Sequence, residues 1–378
     1  MNSAIKKVHF INDKVNKIRY LFFGESNERS RDYLILRTFS GLDGVSEWKG
    51  IIGNKYLYPE IVMIETDDEL KLKFYDNNPD YIKNKLKEIF SINHGSKKLP
   101  EIIDHQFLPN KESWFNNVDK CYQEFDSSKF KKLVMSRKVE MTSKSNFSSK
   151  RIFEELSLTS KNSFDFFFTL DGKIFFGSTP ETLFKRKNNT LYTESLAGTR
   201  KRGENEEEDL YLENELINDP KERSEQKFVT DEIVNRLNGI SKRINKGNTT
   251  VKKLAKLQHL HNDIEVELKD GISNDELLEL MHPTPAVGSL PLKNGQEKIR
   301  EIENYDRGLY AGVISINIDN ESINLVGIRS ALSIEEEKKL YLYSGAGIVK
   351  GSIAEKEWME INNKLNSFLS ILNYDFKE

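Results

Sequence analysis

Cysteine is almost absent: Cys121 is the single one in 378 residues. An internal disulfide framework is therefore impossible, and a cysteine-rich zinc site is excluded. That scarcity fits a reducing compartment. A dominant charge is lacking too. The 57 Lys and Arg nearly balance the 60 Asp and Glu, giving a formal net charge of −3. No broad field of one sign exists to hold nucleic acid or an anionic membrane. No stretch approaches the ~18 apolar residues of a membrane span. The opening MNSAIKKVHFINDKVNKIRYLFFG has no uninterrupted apolar segment of the kind a secretion signal needs. A cytoplasmic location is the expectation. Repeats and low-complexity linkers are also missing.

What is present suits a large core. Hydrophobic residues make up 37% and charged residues 31%, a globular composition. The 22 Phe and 14 Tyr add much buriable area. Residues 1–112 carry scattered strand signals, such as YLILRTF and EIVMIE, and little that looks like chemistry. Residues 113–378 are denser. WFNNVDKCYQEF and RIFEELSL predict helices, with KLVMSRKVEM as a strand between them. Asp171-Gly172 and Asn188-Asn189 predict hairpin turns between apolar runs. EDLYLENELIND and ERSEQKFVTDEIVNRL read as helices broken at Asp219-Pro220. SNDELLELM is a helix capped by Ser273. ESINLVGIRSAL and KKLYLYSGAGIV read as strands. AEKEWMEINNKLNSFLSIL is an amphipathic helix with Trp358, Ile361, Leu365 and Leu369 on one stripe. Hairpins interspersed with helices predict an α+β fold: an antiparallel two-layer sheet core with outer helices, as a single compact unit. The N-terminal part completes that core.

The motifs KLVMSR, GSTPETLF, SLAGTRKRG, NDPKERSEQKFV, LQHL, HPTPAVGSLP, YDRGLYAGVI, GIRSAL, SGAGIV and EWMEINNK occur in this order from about residue 115 to 371. In that order they resemble the chorismate-binding domain shared by isochorismate, salicylate, anthranilate and aminodeoxychorismate synthases. The resemblance covers about two thirds of the chain and implies this family's fold.

By spacing alone, Lys132 is a surface lysine beside Lys129 and Lys131. The resemblance makes it the general base that activates an attacking water, a task open to lysine only where its neutral form is favoured. Glu181, otherwise a turn carboxylate after Pro180, becomes the general acid that protonates the departing C4 hydroxyl. Glu225 and Glu360 would otherwise be solvated helix carboxylates; the resemblance makes them ligands of Mg²⁺, a hard cation suited to a few carboxylates, substrate oxygens and waters. Glu222 and Glu357 stand close by in sequence. Lys364, four residues after Glu360, shares its helix face. The resemblance places it by a substrate carboxylate, and it gives Arg329 the enolpyruvyl carboxylate. Gly198, Thr199 and Gly345 would let the backbone approach the substrate, with His259 contacting it. SGAGIVKG is no dinucleotide fingerprint, because Lys350 takes the third glycine position.

Three local features narrow the reaction that the resemblance implies. Lys132 stands where ammonia-using members carry glutamine, so no glutaminase subunit is expected. Ala197 stands where aminodeoxychorismate synthases place a nucleophilic lysine. HPTPAVGSLP resembles the isochorismate and salicylate synthase form of its loop. The expectation is a monomeric, Mg²⁺-dependent isochorismate synthase acting on chorismate, for menaquinone or a siderophore. Salicylate synthase and a non-catalytic chorismate-binding protein are the alternatives.

Overall fold

The computed structural model describes residues 8–23, 32–42, 46–49, 51, 53–75, 99–160, 162–253 and 257–375. The described residues form antiparallel sheets and seven α-helices, the expected α+β class. Within this fold the chain divides into two units. The first comprises Met1–Glu181, Pro283–Ile316 and Leu325–Glu378; the second comprises Thr182–His282 and Asn317–Asn324.

The first unit is built on an eleven-stranded sheet. Its order is Ser289–Leu290, Lys132–Ser143, Lys339–Val349, Ser330–Ile334, Lys173–Thr179, Phe164–Leu170, Val8–Asp13, Ile18–Phe23, Ile61–Glu65 and Leu70–Phe74. Ile102–Leu108 pairs with Lys132–Ser143 off this path. Strands from before residue 112 thus pair directly with strands from after it. The sharp turn at Asp171-Gly172 joins two of these strands, and both residues have positive φ, at 45° and 81°. That is the conformation Asp-Gly turns favour.

Alternation along Lys132–Ser143 divides the sheet's two faces. Val139 and Met141 point into a core with Phe147, Ile152, Phe153, Leu156, Phe176, Leu365, Phe368 and Leu369. That core is closed by the helices Ser149–Thr159 and Ala354–Leu372. Lys132, Val134, Ser136 and Lys138 point to the other face.

The second unit carries the strand order Ser241–Lys246, Leu257–Leu268, Thr190–Lys201, Thr182–Lys187, with Thr250–Lys253 also pairing to Leu257–Leu268. The helix Pro220–Asn238 covers one face of it, burying Gln226, Thr230, Ile233 and Leu237. Asp219 caps that helix by accepting the N–H groups of Lys221 and Glu222, and Pro220 starts it. The break at Asp219-Pro220 is therefore a helix start rather than a loop. Helix Asn274–Met281 begins with the reciprocal Ser273–Glu276 cap.

Candidate active site

In the first unit, Lys132 begins its strand and pairs with Val349 on one side and Leu290 on the other. It is half-buried. Direct partners across an antiparallel pair share a face. Lys132, Val134 and Ser136 therefore share theirs with Val349, Gly347 and Gly345. A side chain on Gly347 would meet Lys132 Cε at 2.8 Å, so the lysine lies across this glycine. A side chain on Gly345 would meet the Tyr310 hydroxyl at 2.9 Å.

Glu181 occupies the two-residue link between the strands Lys173–Thr179 and Thr182–Lys187. Its N–H donates to Thr179 Oγ1 at 3.2 Å, and its carbonyl accepts the Val326 N–H at 3.0 Å. Two strands separate Lys132's strand from Lys173–Thr179, roughly 14 Å between strand axes at ordinary spacing. Gly177 pairs with Ser330, and Ser330 with Tyr343. This register brings Glu181 level with Gly347, at the same end of the sheet as Lys132. Arg329 was expected on a strand. It instead sits at a bend with φ of 50°, immediately before the strand Ser330–Ile334. Its carbonyl accepts the Ser178 N–H at 3.2 Å, and Gly177 has no side chain to obstruct this approach. Arg329 is exposed at this bend; partial loss of water around its guanidinium lowers it from its ordinary value, and the charge of Glu181 opposes that shift. The two side chains therefore act on each other.

The helix Ala354–Leu372, which closes the core on the Val139 and Met141 face, carries Glu357, Glu360 and Lys364. Lys364 Nζ lies 2.7 Å from Glu360 and donates to the Gly345 carbonyl at 2.8 Å. The ion pair is thus real, and it also ties the helix to the glycine strand. Burial raises the Glu357 carboxyl above its usual range; the Ser352 bond opposes this and Glu360 adds to it. A divalent cation beside these carboxylates would relieve their mutual repulsion, so the donor set fits Mg²⁺. Among the described residues, no group of three or more His, Cys, Asp or Glu is arranged around a metal position.

In the second unit, Thr190–Lys201 bulges between Ala197 and Thr199. Gly198 takes φ of 68° there. A side chain on it would press on Glu222 at 3.1 Å. Both facts favour glycine. Thr199 lies opposite His259 in the register; its side chain falls outside the described residues. His259 Nδ1 is 3.3 Å from the Gly198 carbonyl. Burial pushes the imidazole below its ordinary value, Gly198 opposes this, and Lys252 adds to it. Glu222 and Glu225 lie on the helix Pro220–Asn238, Glu222 mostly buried and Glu225 exposed. Arg200 holds Glu222 at 3.2 Å and Asp219 at 2.8 Å.

Two supporting sets have no counterpart in the sequence reading. Arg200 is one. The other is a buried network under Lys132's strand. Glu303 accepts Arg307 through both oxygens, at 2.8 and 2.6 Å. It also accepts the Ser136 N–H and hydroxyl at 2.5 and 2.8 Å. Arg307 donates onward to the Val134 and Val287 carbonyls at 2.6 and 2.9 Å. The network fastens the HPTPAVGSLP loop to the strand that bears Lys132. The only signal in sequence was the charged YDRG opening of YDRGLYAGVI.

A family model described as chorismate binding enzyme matches residues 43–373. Isochorismate synthase 2, chloroplastic, of Arabidopsis thaliana is 31% identical over 278 residues, 72% of this chain and 49% of that protein. Isochorismate synthase MenF of Haemophilus influenzae is 32% identical over 276 residues, 73% of this chain and 63% of that protein. The chain therefore spans about half of the first relative's length and just under two thirds of the second's. The solved structure of MenF, the menaquinone-specific isochorismate synthase from Escherichia coli, superimposes with a TM-score of 0.84 at 22% identity. The superposition covers 98% of this chain and 91% of that one, a likeness of fold. With the family match running through nearly all of the strands and helices that carry these residues, the chain belongs to the chorismate-binding enzymes.

Proposed function

We propose that this protein is an isochorismate synthase, a hydroxymutase that converts chorismate reversibly to isochorismate. The observation that carries the reading is that Lys132 and Glu181 lie at one end of one sheet, Lys132 at the start of its strand and Glu181 in the link that follows Lys173–Thr179. Water attacks C2 of the ring as Lys132 takes its proton. The C4 hydroxyl leaves as Glu181 supplies one. Hydroxide is a poor leaving group, so this proton is a chemical necessity. Arg329, fixed at its bend beside Glu181, is suited to pair in a planar, bidentate way with the enolpyruvyl carboxylate. Gly345 offers backbone, and Lys364 a cation, to a second carboxylate.

Glu225 and Glu360 would hold Mg²⁺, with Glu222 and Glu357 supporting its waters. When bound, the ion supplies positive charge to the ring carboxylate. In the second unit Gly198, Thr199 and His259 would contact the substrate, and a buried, neutral His259 can donate or accept one hydrogen bond there.

Lys132 in the water-activating position and Ala197 in place of a nucleophilic lysine support water rather than ammonia as the nucleophile. On this reading the enzyme needs no glutaminase subunit and acts as a monomer in the cytoplasm. No described helix is long and apolar enough to cross a membrane. The solved neighbour from Escherichia coli is described as menaquinone-specific, which supports menaquinone formation as the use of the product, with siderophore formation the other use of the same compound. Incubation with chorismate, with and without Mg²⁺, followed by chromatography of products tests the reading. Isochorismate formed only with Mg²⁺ is expected. Salicylate with pyruvate would make it a salicylate synthase instead, and no turnover would make it a binding protein.

A further inference from the structure

We infer that Gly347 is a positioning residue for Lys132: its missing side chain is the space through which the lysine reaches the substrate. The inference rests on the proposed role of Lys132 as base. Gly347 lies inside the strand Lys339–Val349, paired with Val134. Its φ is not among the positive values found at other glycines, so its backbone does not call for glycine. Glycine inside a strand costs stability and marks a close approach by something else. Here the approaching group is known. A Cβ at this position would stand 2.8 Å from Lys132 Cε and 3.5 Å from Nζ, with Val134 Cγ2 next at 4.0 Å.

The register shows why this matters. The direct partner of Lys132 is Val349, at the outer end of the pair. A lysine standing straight off the sheet would lie beside Val349, which is exposed. The side chain instead leans diagonally by one pair, over Gly347 and towards Gly345. Its amine is thereby carried inward along the face that bears the Gly345 backbone and the Tyr310 hydroxyl. An alanine at 347 meets only the far end of a flexible side chain. The sheet can keep its form while the lysine turns away.

The test is Gly347→Ala, alone and combined with Lys132→Ala, assayed with chorismate and Mg²⁺. Rates are counted per folded molecule from the unfolding amplitude in calorimetry, so a partly folded preparation is still scored. Gly347→Ala is expected to lower kcat by ~30-fold or more with KM changed less than about 3-fold. In the Lys132→Ala background the same change should lower kcat by less than about 2-fold, because there is no lysine left to displace. A Gly347→Ala loss of similar size in both backgrounds would make the glycine merely structural and overturn the inference. So would an unchanged kcat in the single variant while Lys132→Ala is crippled. If Lys132→Ala itself stays active, the base assignment fails, a result distinct from either of these.

Discussion

Lys132 and Glu181 have opposite tasks in the proposed reaction. One must begin neutral and able to accept a proton, and the other neutral and able to give one. Neither state is the ordinary one at neutral pH, where free lysine and glutamate are both ionised. General acid–base groups each contribute roughly 10²–10⁴-fold. Lys132→Ala and Glu181→Gln should therefore each lower kcat by at least about 100-fold, with chorismate binding retained. The roles exchange when isochorismate is the substrate, so each variant should be equally impaired in reverse. Progress curves in the two directions check this. A Lys132→Ala enzyme with more than about a tenth of normal kcat both ways would remove the lysine from the mechanism. At this scale the sequence was informative only through its motifs. Spacing alone made Lys132 one of several surface lysines. Its contact with Gly347 joins residues 215 positions apart, beyond any local signal. The buried Glu303–Arg307 pair was likewise hidden, because an i,i+4 ion pair looks the same in sequence whether it is solvated or buried.

Elements were more legible where local chemistry decides them. The Asp171-Gly172 turn, the Ser273 cap and the start of a helix at Pro220 all follow from residue types at fixed offsets. The stripe of Trp358, Ile361, Leu365 and Leu369 is buried as its spacing predicts. ESINLVGIRSAL read as one strand, but Glu321–Val326 belongs to a nine-stranded sheet, the chain bends through 327–329, and Ser330–Ile334 belongs to the eleven-stranded sheet. Gly327 and Ile328 continue the apolar run into that break, and pattern alone does not register a bend. His259 and His261 lie two apart in the strand Leu257–Leu268 and so share a face. What sequence could not show is the partner across the sheet. His261 Nε2 lies 2.8 Å from Glu194, and Lys252 also reaches that carboxylate. Burial alone would raise the Glu194 carboxyl, but the bonds from His261 and Lys252 bring it down to about 2. A carboxyl lowered on folding adds stability above its unfolded value, near 4.5, and that stability is lost as pH falls towards about 2. Glu194→Gln should cost about 2–3 kcal/mol at neutral pH and leave the protein less sensitive to acid across that window. Urea midpoints measured from pH 7 down to 3 report it, and identical slopes for the two proteins would contradict the assignment.

For the whole molecule, composition and charge removed nucleic acid, disulfide scaffolds and membrane spans from consideration, and the ordered motifs carried the family. They did not carry the division into two compact units, because strands that neighbour one another in sequence fall on both sides of it. The central claim concerns oxygen: the hydroxyl at C2 of the product comes from water, and the one at C4 of the substrate is lost. Conversion of chorismate in water enriched in oxygen-18, stopped within the first few per cent of turnover, tests this directly by mass spectrometry of the product. The account predicts isochorismate with one solvent oxygen, located at C2, while unreacted chorismate stays unlabelled. Isochorismate free of label would mean that the hydroxyl is passed from C4 to C2 without water, and it would contradict the roles given to both Lys132 and Glu181.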